Sequence, residues 1–330
     1  MTRKMLLLLS LAAGLVLAGH VARAEGGLKK VSCLTNYVFN GRHSPFFVGR
    51  EKGFYKEAGF DIQIAPASGS GFVVTAVEGG KADYGMADPS SIVKGIAQGA
   101  KIKAYQVFMD QTTTGLASIK PYPTVESLKG ASIAASLTDS VRIIIPIVFK
   151  THGLDPDSIK WQTADPSVYF TLLMSGQADL MTATIDGDVP ALQKLAGPQG
   201  KTVYFGSVGD WGWDVFGFLM LTQSDRIAQH PDEVKAFAGA TAKAVLYSME
   251  HPEETAKIMV AANPALNYDV TLTQWKQSIK AIDTAFMKEH GYGVATPERV
   301  ERTIDLVKQV TKLTAPLKAD DVFAQGFAAK

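Results

Sequence analysis

Aromatic and hydrogen-bonding side chains are concentrated in one short stretch, TNYVFNGRHSPFF, at residues 35–47. Tyr37 can offer an aromatic face, whereas Asn40 and His43 can offer donors and acceptors to the edge of a ring. The stretch is too irregular for a core strand, and it follows the run LKKVSCLT, which has the composition of a strand. We therefore predict a loop that lines a binding cleft.

Three further loops follow predicted strands, which is where open α/β sheets place their ligands. The SGSG loop begins a helix and offers backbone N–H groups to an anion or a polarised heterocycle, although a flexible turn explains it equally well. ADPSS and LTDS offer hydroxyl and N–H groups in the same way. Asp139 is explained equally well as a helix cap. The candidate ligand contacts in these loops are Ser68, Gly69, Ser70, Gly71, Asp88, Thr138, Asp139 and Ser140.

The stretch GDWGWDVFG places two tryptophans among glycines and aspartates. We predict that Trp211, Trp213 and Asp214 face the same cleft, because tryptophans two residues apart in a glycine-rich segment are often partly exposed. The alternative is that the tryptophans belong to the core. Aromatic faces in the cleft would favour a flat ligand. Asp186, in TIDGD, is a further candidate, with an ordinary turn as its alternative.

Other residue patterns argue against several kinds of chemistry. Of the six histidines only His20 lies before residue 24, and the others have no H-x-x-x-H or H-E-x-x-H spacing, so we predict no metal site. No G-x-S-x-G or Walker motif occurs. Cys33 is the single cysteine, so an intrachain disulfide cannot form, and we expect it in a buried strand. A formal net charge of +1 argues against nucleic acid as a partner.

Residues 1–24 are predicted to be a secretory signal peptide that is cleaved after Ala24. Arg3 and Lys4 give a positive start, an apolar run follows, and ARA at the end matches a small-x-small cleavage site. The apolar run is short for a membrane span, although an uncleaved anchor is the alternative. An exported chain without disulfides fits a bacterial periplasm, so we expect a mature periplasmic protein of residues 25–330.

Short strand patterns alternate with helical patterns along most of the chain, which predicts α/β lobes with mostly parallel sheets flanked by helices. GKADY at residues 80–84 and GQADL at residues 176–180 each end a predicted helix and begin a strand, which indicates two lobes of like design. The PFFVGREKGFYKEAG run predicts one helix that ends at Gly59. The predicted lobes are residues 25–112 with 214–330, and residues 113–213, with crossings near 109–115 and 209–217.

The runs NYVFNGRHSPFFVGREKGFYKEAGFDIQI, SGSG and VEGGKADYGMAD together resemble the thiamine-precursor (NMT1/THI5-like) and sulfonate-type solute-binding proteins of bacterial ABC importers. The resemblance covers most of the mature chain. It implies the two-lobed periplasmic-binding-protein fold of type II, in which the lobes close about a hinge. It also implies a permease in the inner membrane as partner, a monomer, and no cofactor.

The resemblance also bears on the ligand. Pyrimidine-binding members carry D-W-x-P-N-x-x-H after the first strand, and this chain keeps N-x-x-H at Asn40 and His43. Asn36, Tyr37 and Phe39 replace the aspartate, the tryptophan and the proline. A flat heterocycle, such as a thiamine pyrimidine precursor, is the implied ligand.

Two alternatives to a flat heterocycle stay open. A sulfonate, nitrate or aromatic acid would depend on Arg42, Arg142 or helix N-termini. The pyrimidine synthases of the same family use iron with a cysteine-rich segment and a lysine that holds pyridoxal phosphate. A single cysteine and the predicted export signal count against such an enzyme, so we expect a binding protein.

Overall fold

Two five-stranded sheets organise the molecule. The computed structural model describes residues 27–309 and 316–328, and the predicted signal peptide at 1–24 lies outside these ranges. The strands of the first sheet are β1 (Lys29–Leu34), β2 (Phe60–Ala65), β3 (Tyr84–Ala87), β4 (Ile102–Met109) and β10 (Phe218–Gln223). Those of the second are β5 (Thr114–Ser118), β6 (Ser132–Ala135), β7 (Lys160–Thr163), β8 (Leu180–Thr184) and β9 (Tyr204–Ser207).

Helices flank both sheets, as the alternating sequence pattern predicts. Those that follow strands in the first two thirds of the chain are α1 (Ser44–Glu51), α2 (Phe54–Glu57), α3 (Ser70–Glu78), α4 (Pro89–Ala97), α5 (Val141–Thr151), α6 (Tyr169–Met174) and α7 (Asp188–Ala196). The C-terminal third holds α8 (Ser224–Gln229), α9 (Pro231–Glu250), α10 (Pro252–Ala262), α11 (Tyr268–Ile282), α12 (Ala285–His290), α13 (Pro297–Lys308) and α14 (Ala319–Val322).

The two sheets have matching strand orders, β2-β1-β3-β10-β4 and β7-β6-β8-β5-β9. In each sheet four strands run parallel and one, β10 or β5, runs antiparallel to its neighbours. The chain leaves the first sheet after β4 and returns to it with β10, which agrees with the two predicted crossings. We use lobe 1 and lobe 2 for the first and second sheets with their helices. The finer lobe boundaries at 112, 113, 213 and 214 stay a prediction.

A serine–aspartate pair repeats in the two lobes at the G-x-A-D turn. In lobe 1 the Asp83 carboxylate accepts from the N–H of Ser32 at 2.8 Å and from its hydroxyl at 2.9 Å. In lobe 2 the Asp179 carboxylate accepts from the N–H of Ser132 at 2.9 Å and from its hydroxyl at 2.8 Å. Each aspartate N–H also donates to the serine hydroxyl at 3.0 Å. The prediction of two lobes of like design is thereby confirmed at the level of individual hydrogen bonds.

The structure corrects one predicted helix and adds three strands. The single helix expected before Gly59 is divided into α1 and α2, because Gly53 adopts a left-handed φ of 77° that a continuous helix excludes. β5, β9 and β10 had no recognised pattern in the sequence. Pro146 lies inside α5. Within the described residues, no helix is long and apolar enough to cross a membrane.

Candidate functional site

A cleft between the lobes is lined by residues of both. Lobe 1 contributes Asn36, Tyr37, Arg42, Gly69, Ser70 and Phe218. Lobe 2 contributes Thr114, Asp139, Ser140, Thr182, Ala183, Thr184 and Asp188. The cavity is narrow, at about 30 Å³, which is room for roughly two or three water molecules. The lobes must therefore separate before a larger molecule can enter.

The SGSG loop of lobe 1 contacts the LTDS loop of lobe 2 directly across this cleft. The N–H of Gly71 donates to the carbonyl of Thr138 at 2.9 Å, and the hydroxyl of Ser136 donates to the carbonyl of Ser68 at 2.7 Å. Gly69 has a φ of 148°, and a Cβ on it would lie 2.5 Å from the Thr138 carbonyl oxygen. Glycine is thus required for the close approach of the two lobes.

Two carboxyl groups give the cleft an acidic lining. Asp139 accepts from the N–H of Val141 at 3.1 Å and from the hydroxyl of Thr182 at 3.3 Å, so it caps α5 and also faces the cleft. Asp188 accepts from the N–H of Thr184 at 2.8 Å and from its hydroxyl at 3.1 Å. Burial, with smaller opposing effects from these hydrogen bonds, raises the pKa of each carboxyl to about 6. A ligand that donates hydrogen bonds to either carboxyl would stabilise its ionised form.

A buried ion pair joins the lobes beside the cleft. Nε and Nη2 of Arg42 donate to the two oxygens of Asp186 at 2.8 and 2.6 Å, and both side chains are buried. Nη2 also donates to the hydroxyl of Thr184 at 2.6 Å, and the Ser278 hydroxyl donates to Asp186 at 2.7 Å. Burial alone would raise the pKa of Asp186, but the charge of Arg42 and these hydrogen bonds hold it below its usual value. The Arg42 charge is therefore neutralised within the protein.

Arg142 is also engaged by the protein and does not line the cleft. Its Nε donates to the carbonyl of Ser136 at 2.7 Å, and its Nη2 donates to the carbonyl of Ala135 at 2.8 Å and to the Thr163 hydroxyl at 2.7 Å. Its guanidinium lies 4.8 Å from the ring centre of Trp161. Of the two arginines considered for an anionic ligand, one is paired with a carboxylate and the other is held by lobe 2.

Aromatic rings lie on both sides of the cleft. Tyr37 of lobe 1 lies 6.4 Å from Tyr169 of lobe 2 between ring centroids, with 33° between the ring planes. Burial and the nearby Asp188 raise the pKa of Tyr37 well above its usual value, so the phenol stays neutral. The Phe218 ring lies under the Arg42 guanidinium at 4.6 Å. Tyr37 is therefore the predicted aromatic residue that the structure does bring to the cleft.

Three predicted contacts lie behind the cleft rather than in its wall. Asn40 caps the short 3₁₀ turn at 41–43 by accepting from the Arg42 N–H at 3.0 Å. His43 is fully buried. Asp88 caps α4 through Ser90 at 2.8 Å, its N–H donates to the Ser70 hydroxyl at 2.9 Å, and burial raises its pKa to about 7. Each of the three is hydrogen-bonded to a residue that does line the cleft, namely Arg42, Asn36 or Ser70.

The expected placement of Trp211, Trp213 and Asp214 at the cleft is corrected by the structure. Trp213 is 1% exposed and belongs to the hydrophobic core, and Trp211 packs over Gly206 in a different groove of lobe 2. Asp214 is exposed and lies 3.5 Å from Arg302. The segment connects β9 of lobe 2 to β10 of lobe 1, and burial of Trp213 in the core removes its large apolar ring from water.

The remaining predicted residues are at or next to the cleft. Gly69, Ser70, Asp139 and Ser140 line it, whereas Ser68, Gly71 and Thr138 bind the two lobes to each other. Asp186 serves the ion pair instead of the cavity. Further residues line the cleft without having been predicted as contacts from the sequence, namely Asn36, Thr114, Thr182, Ala183, Thr184, Asp188 and Phe218. The run TATIDGD contained a signal for part of this set, since it follows a strand and is rich in hydroxyl and carboxyl groups.

Two mixed sheets, joined by two crossings around a cleft, define the periplasmic-binding-protein fold. The ligand-binding component of an ABC-type import system from Staphylococcus aureus has a TM-score of 0.67 at 14% identity, with 92% of this chain and 98% of that chain covered. The alkanesulfonate-binding protein SsuA of Xanthomonas axonopodis pv. citri, solved with MOPS, has a TM-score of 0.68 at 14% identity, with coverages of 91% and 100%. The fold prediction is confirmed.

The sequence comparisons define the family more narrowly. The chain belongs to the NMT1/THI5 like family, whose model matches residues 40–255. The 4-amino-5-hydroxymethyl-2-methylpyrimidine phosphate synthase THI13 of Saccharomyces cerevisiae is 23% identical over 281 residues, which is 80% of this chain and 82% of the yeast protein. The predicted family is confirmed, and this chain is similar in sequence to a protein named as a synthase and in fold to ligand-binding proteins.

The cleft does not offer the side chains that the cofactors of such synthases require. Among the described residues, no lysine lines the cleft, so an imine with pyridoxal phosphate has no amine there. The described part of the chain also holds no cluster of three or more histidine, cysteine or acidic side chains arranged for a metal ion. Cys33 is buried in the core of lobe 1, and burial raises the pKa of its thiol. The residues present do not fit these groups.

Proposed function

We propose that the protein is the solute-binding component of an ABC importer and captures a small, flat, amino-substituted heterocycle between its lobes. The observation that carries this proposal is the composition of the cleft, where Tyr37 lies beside the carboxyl groups of Asp139 and Asp188. An aromatic face favours a planar ring, and carboxylates favour N–H donors over anions. An aminopyrimidine of the kind that leads to thiamine satisfies both requirements.

Capture follows from the contacts that cross the cleft. The ligand enters when the lobes are apart, and the contacts between Gly71 and Thr138 and between Arg42 and Asp186 form as they close. The closed form is then the one that a permease in the inner membrane recognises. The proposal includes cleavage of residues 1–24, a periplasmic location and a monomer.

A sulfonate, nitrate or aromatic acid is the alternative ligand class. It is supported by the similarity of the fold to a sulfonate-binding protein and by the N-termini of α3 and α5 at the cleft. The pairing of Arg42 with Asp186 and the acidic pair Asp139 and Asp188 oppose it, because an anion in this cleft would face two carboxylates at neutral pH. A synthase reaction has less support, since the cleft has no lysine among its described residues.

A thermal-shift screen of the purified chain tests the ligand class. The panel holds aminopyrimidines, nucleobases, aromatic acids, alkanesulfonates and nitrate. A binder at 100 times its dissociation constant adds about 2.7 kcal/mol to the free energy of unfolding, which is a clear upward shift. We expect this shift with aminopyrimidines, followed by calorimetric titration to obtain their affinity.

Charge-neutralising variants provide the control. Asp139→Asn and Asp188→Asn should each weaken the binding of an aminopyrimidine about tenfold or more, because a charge-assisted hydrogen bond contributes about 1.5–3 kcal/mol. Asp61→Asn, at an exposed position on β2, should leave the affinity unchanged. A shift with sulfonates or nitrate alone, increased by the same two substitutions in the cleft, would overturn the proposal in favour of an anion.

A further inference from the structure

His43 lies directly behind the cleft, and both of its ring nitrogens have partners. The backbone N–H of Asn40 lies 3.3 Å from Nδ1 and can only donate, so Nδ1 is the acceptor and carries no proton. The proton of the neutral ring is therefore on Nε2, which lies 3.1 Å from Oδ1 of Asn36. Burial, together with the charge of Arg42, lowers the pKa of His43 well below its usual value, so the ring stays neutral.

This arrangement determines which end of the Asn36 amide faces the cleft. If the amide were turned over, its NH₂ group would meet the N–H of His43, donor against donor. Oδ1 of Asn36 therefore points to His43, and its Nδ2 has no partner elsewhere in the described part of the chain. Because Asn36 lines the cleft, it presents a hydrogen-bond donor to whatever the cleft holds.

The donor of Asn36 shares the cleft with two carboxyl groups, which accept hydrogen bonds when ionised, and with hydroxyl groups such as those of Ser70 and Ser140, which can donate or accept. Asp139 and Asp188 belong to the lobe 2 side of the same cleft, and both raise the pKa of Tyr37. The complement of this lining is a ring edge that carries an acceptor atom next to an N–H donor. A ring with the opposite order would place its own N–H against Asn36.

We propose that Asn36 determines ligand specificity, with His43 as a positioning residue that holds its amide NH₂ towards the cleft. The ligand then presents an unprotonated ring nitrogen to Asn36 and an adjacent amino group to a carboxylate of lobe 2. This proposal rests on the proposed function, because it specifies the ring edge of the heterocycle. Cytosine carries this edge, with N3 as acceptor beside an amino group, whereas uracil carries N3–H beside a carbonyl.

The first experiment exchanges the donor for an acceptor. Affinities for cytosine and uracil are measured by calorimetry for the wild type and for Asn36→Asp, which is close in size and keeps an oxygen for His43. We expect the wild type to prefer cytosine and the substitution to lower the cytosine-to-uracil affinity ratio at least tenfold, since one hydrogen bond becomes an acceptor–acceptor contact. An unchanged ratio overturns the specificity role of Asn36.

A matched pair of substitutions tests the positioning role of His43. His43→Gln keeps an N–H donor near the place of Nε2, whereas His43→Asn is too short to reach Asn36. We expect His43→Gln to retain cytosine affinity within about threefold and His43→Asn to lose about tenfold, the cost of one misplaced hydrogen bond. In the Asn36→Ala background, the two substitutions should have equal affinities. His43 would have a merely structural role if the two substitutions caused equal losses in the wild-type background. The same conclusion would follow if their difference persisted in the Asn36→Ala background.

A ligand-independent measurement separates this inference from the proposed function. Long-range ¹H–¹⁵N NMR spectra of the purified chain report the tautomer of each histidine. We expect a neutral His43 with its proton on Nε2 and no titration between pH 5 and 8. A proton on Nδ1, or a titrating ring, overturns the positioning role even if an aminopyrimidine binds. If neither cytosine nor uracil binds while the Nε2 tautomer is present, the specificity role fails and the inferred orientation of the Asn36 amide stands. The proposed function fails only if no aminopyrimidine of the thermal-shift panel binds.

Discussion

Removal of the Arg42 guanidinium should open the molecule. In Arg42→Ala all three hydrogen bonds from this side chain to lobe 2 are lost, two to Asp186 and one to Thr184. Asp186 would be left buried, with the Ser278 hydroxyl as a remaining donor. Because the ion pair joins the two lobes, the charge can regain water when the lobes separate. The substitution should therefore act on closure before it acts on the folding of either lobe.

The size of the effect follows from the burial of the pair. Breaking a buried ion pair by removing one partner costs about 3–5 kcal/mol, because the other charge is left uncompensated. At about 1.4 kcal/mol for each factor of ten, the ratio of closed to open molecules should fall by roughly 100-fold or more. Arg42→Met with Asp186→Leu should cost less than Arg42→Ala, because both charges are removed. The exposed pair of Lys243 and Glu57 is the control, and Lys243→Ala should cost less than about 1 kcal/mol.

Small-angle X-ray scattering measures closure directly. The wild-type scattering curve should agree with the closed structure, Arg42→Ala should give a larger radius of gyration, and the double substitution should lie between them. Lys243→Ala should scatter as the wild type does. The reasoning is refuted if Arg42→Ala scatters as the wild type does, if the double substitution is as open as the single one, or if the wild type already has separated lobes.

Three further outcomes are expected. Gly69→Ala should weaken ligand binding at least tenfold by calorimetry, because its Cβ would meet a carbonyl of lobe 2, whereas Gly239→Ala in α9 should keep the affinity and gain up to about 1 kcal/mol. Because the pKa of Asp139 is raised to about 6, the native state holds this proton more tightly than the unfolded state does. Its contribution to stability is therefore present below about pH 4 and is lost as the pH rises through 6. Asp139→Asn should unfold at a higher urea concentration than the wild type at pH 7, but not at pH 4. Ser132→Ala should lower the free energy of unfolding by about 1.5–3 kcal/mol in urea, since it removes the hydroxyl that donates to the Asp179 carboxylate and accepts from the Asp179 N–H. A change below about 0.5 kcal/mol would contradict the role of the repeated serine–aspartate pair.

The sequence contained enough local information to predict the lobes and much of their parallel sheets. Alternating patterns identified the strands that begin βαβ units, and the repeated G-x-A-D turn indicated two similar halves. β10 and β5 escaped prediction because they have no such unit of their own. Each is inserted antiparallel between strands that are distant in sequence, and only tertiary pairing makes them strands.

The site was predicted in part for a similar reason. Loops after parallel strands were correctly expected at one edge, which gave Tyr37, the SGSG loop and Asp139. Asp186 and Asp188 are separated by one residue, and the sequence cannot tell which of them pairs with an arginine 144 positions away and which faces the cleft. The donors and acceptors of His43 favour a ligand contact, but in the structure the ring is buried and bonded to Asn36 instead.

The position of β10 between β3 and β4 has a consequence for the order of folding. Residues 110–217, which separate β4 from β10, also build the whole second sheet. Lobe 2 can therefore complete its sheet while lobe 1 still lacks a central strand. Non-local pairing of this kind is slow, because a long loop must close before the contacts form. Folding of lobe 2 shortens that loop to two crossings, so a defect confined to lobe 2 should delay lobe 1, whereas the reverse dependence has no topological basis.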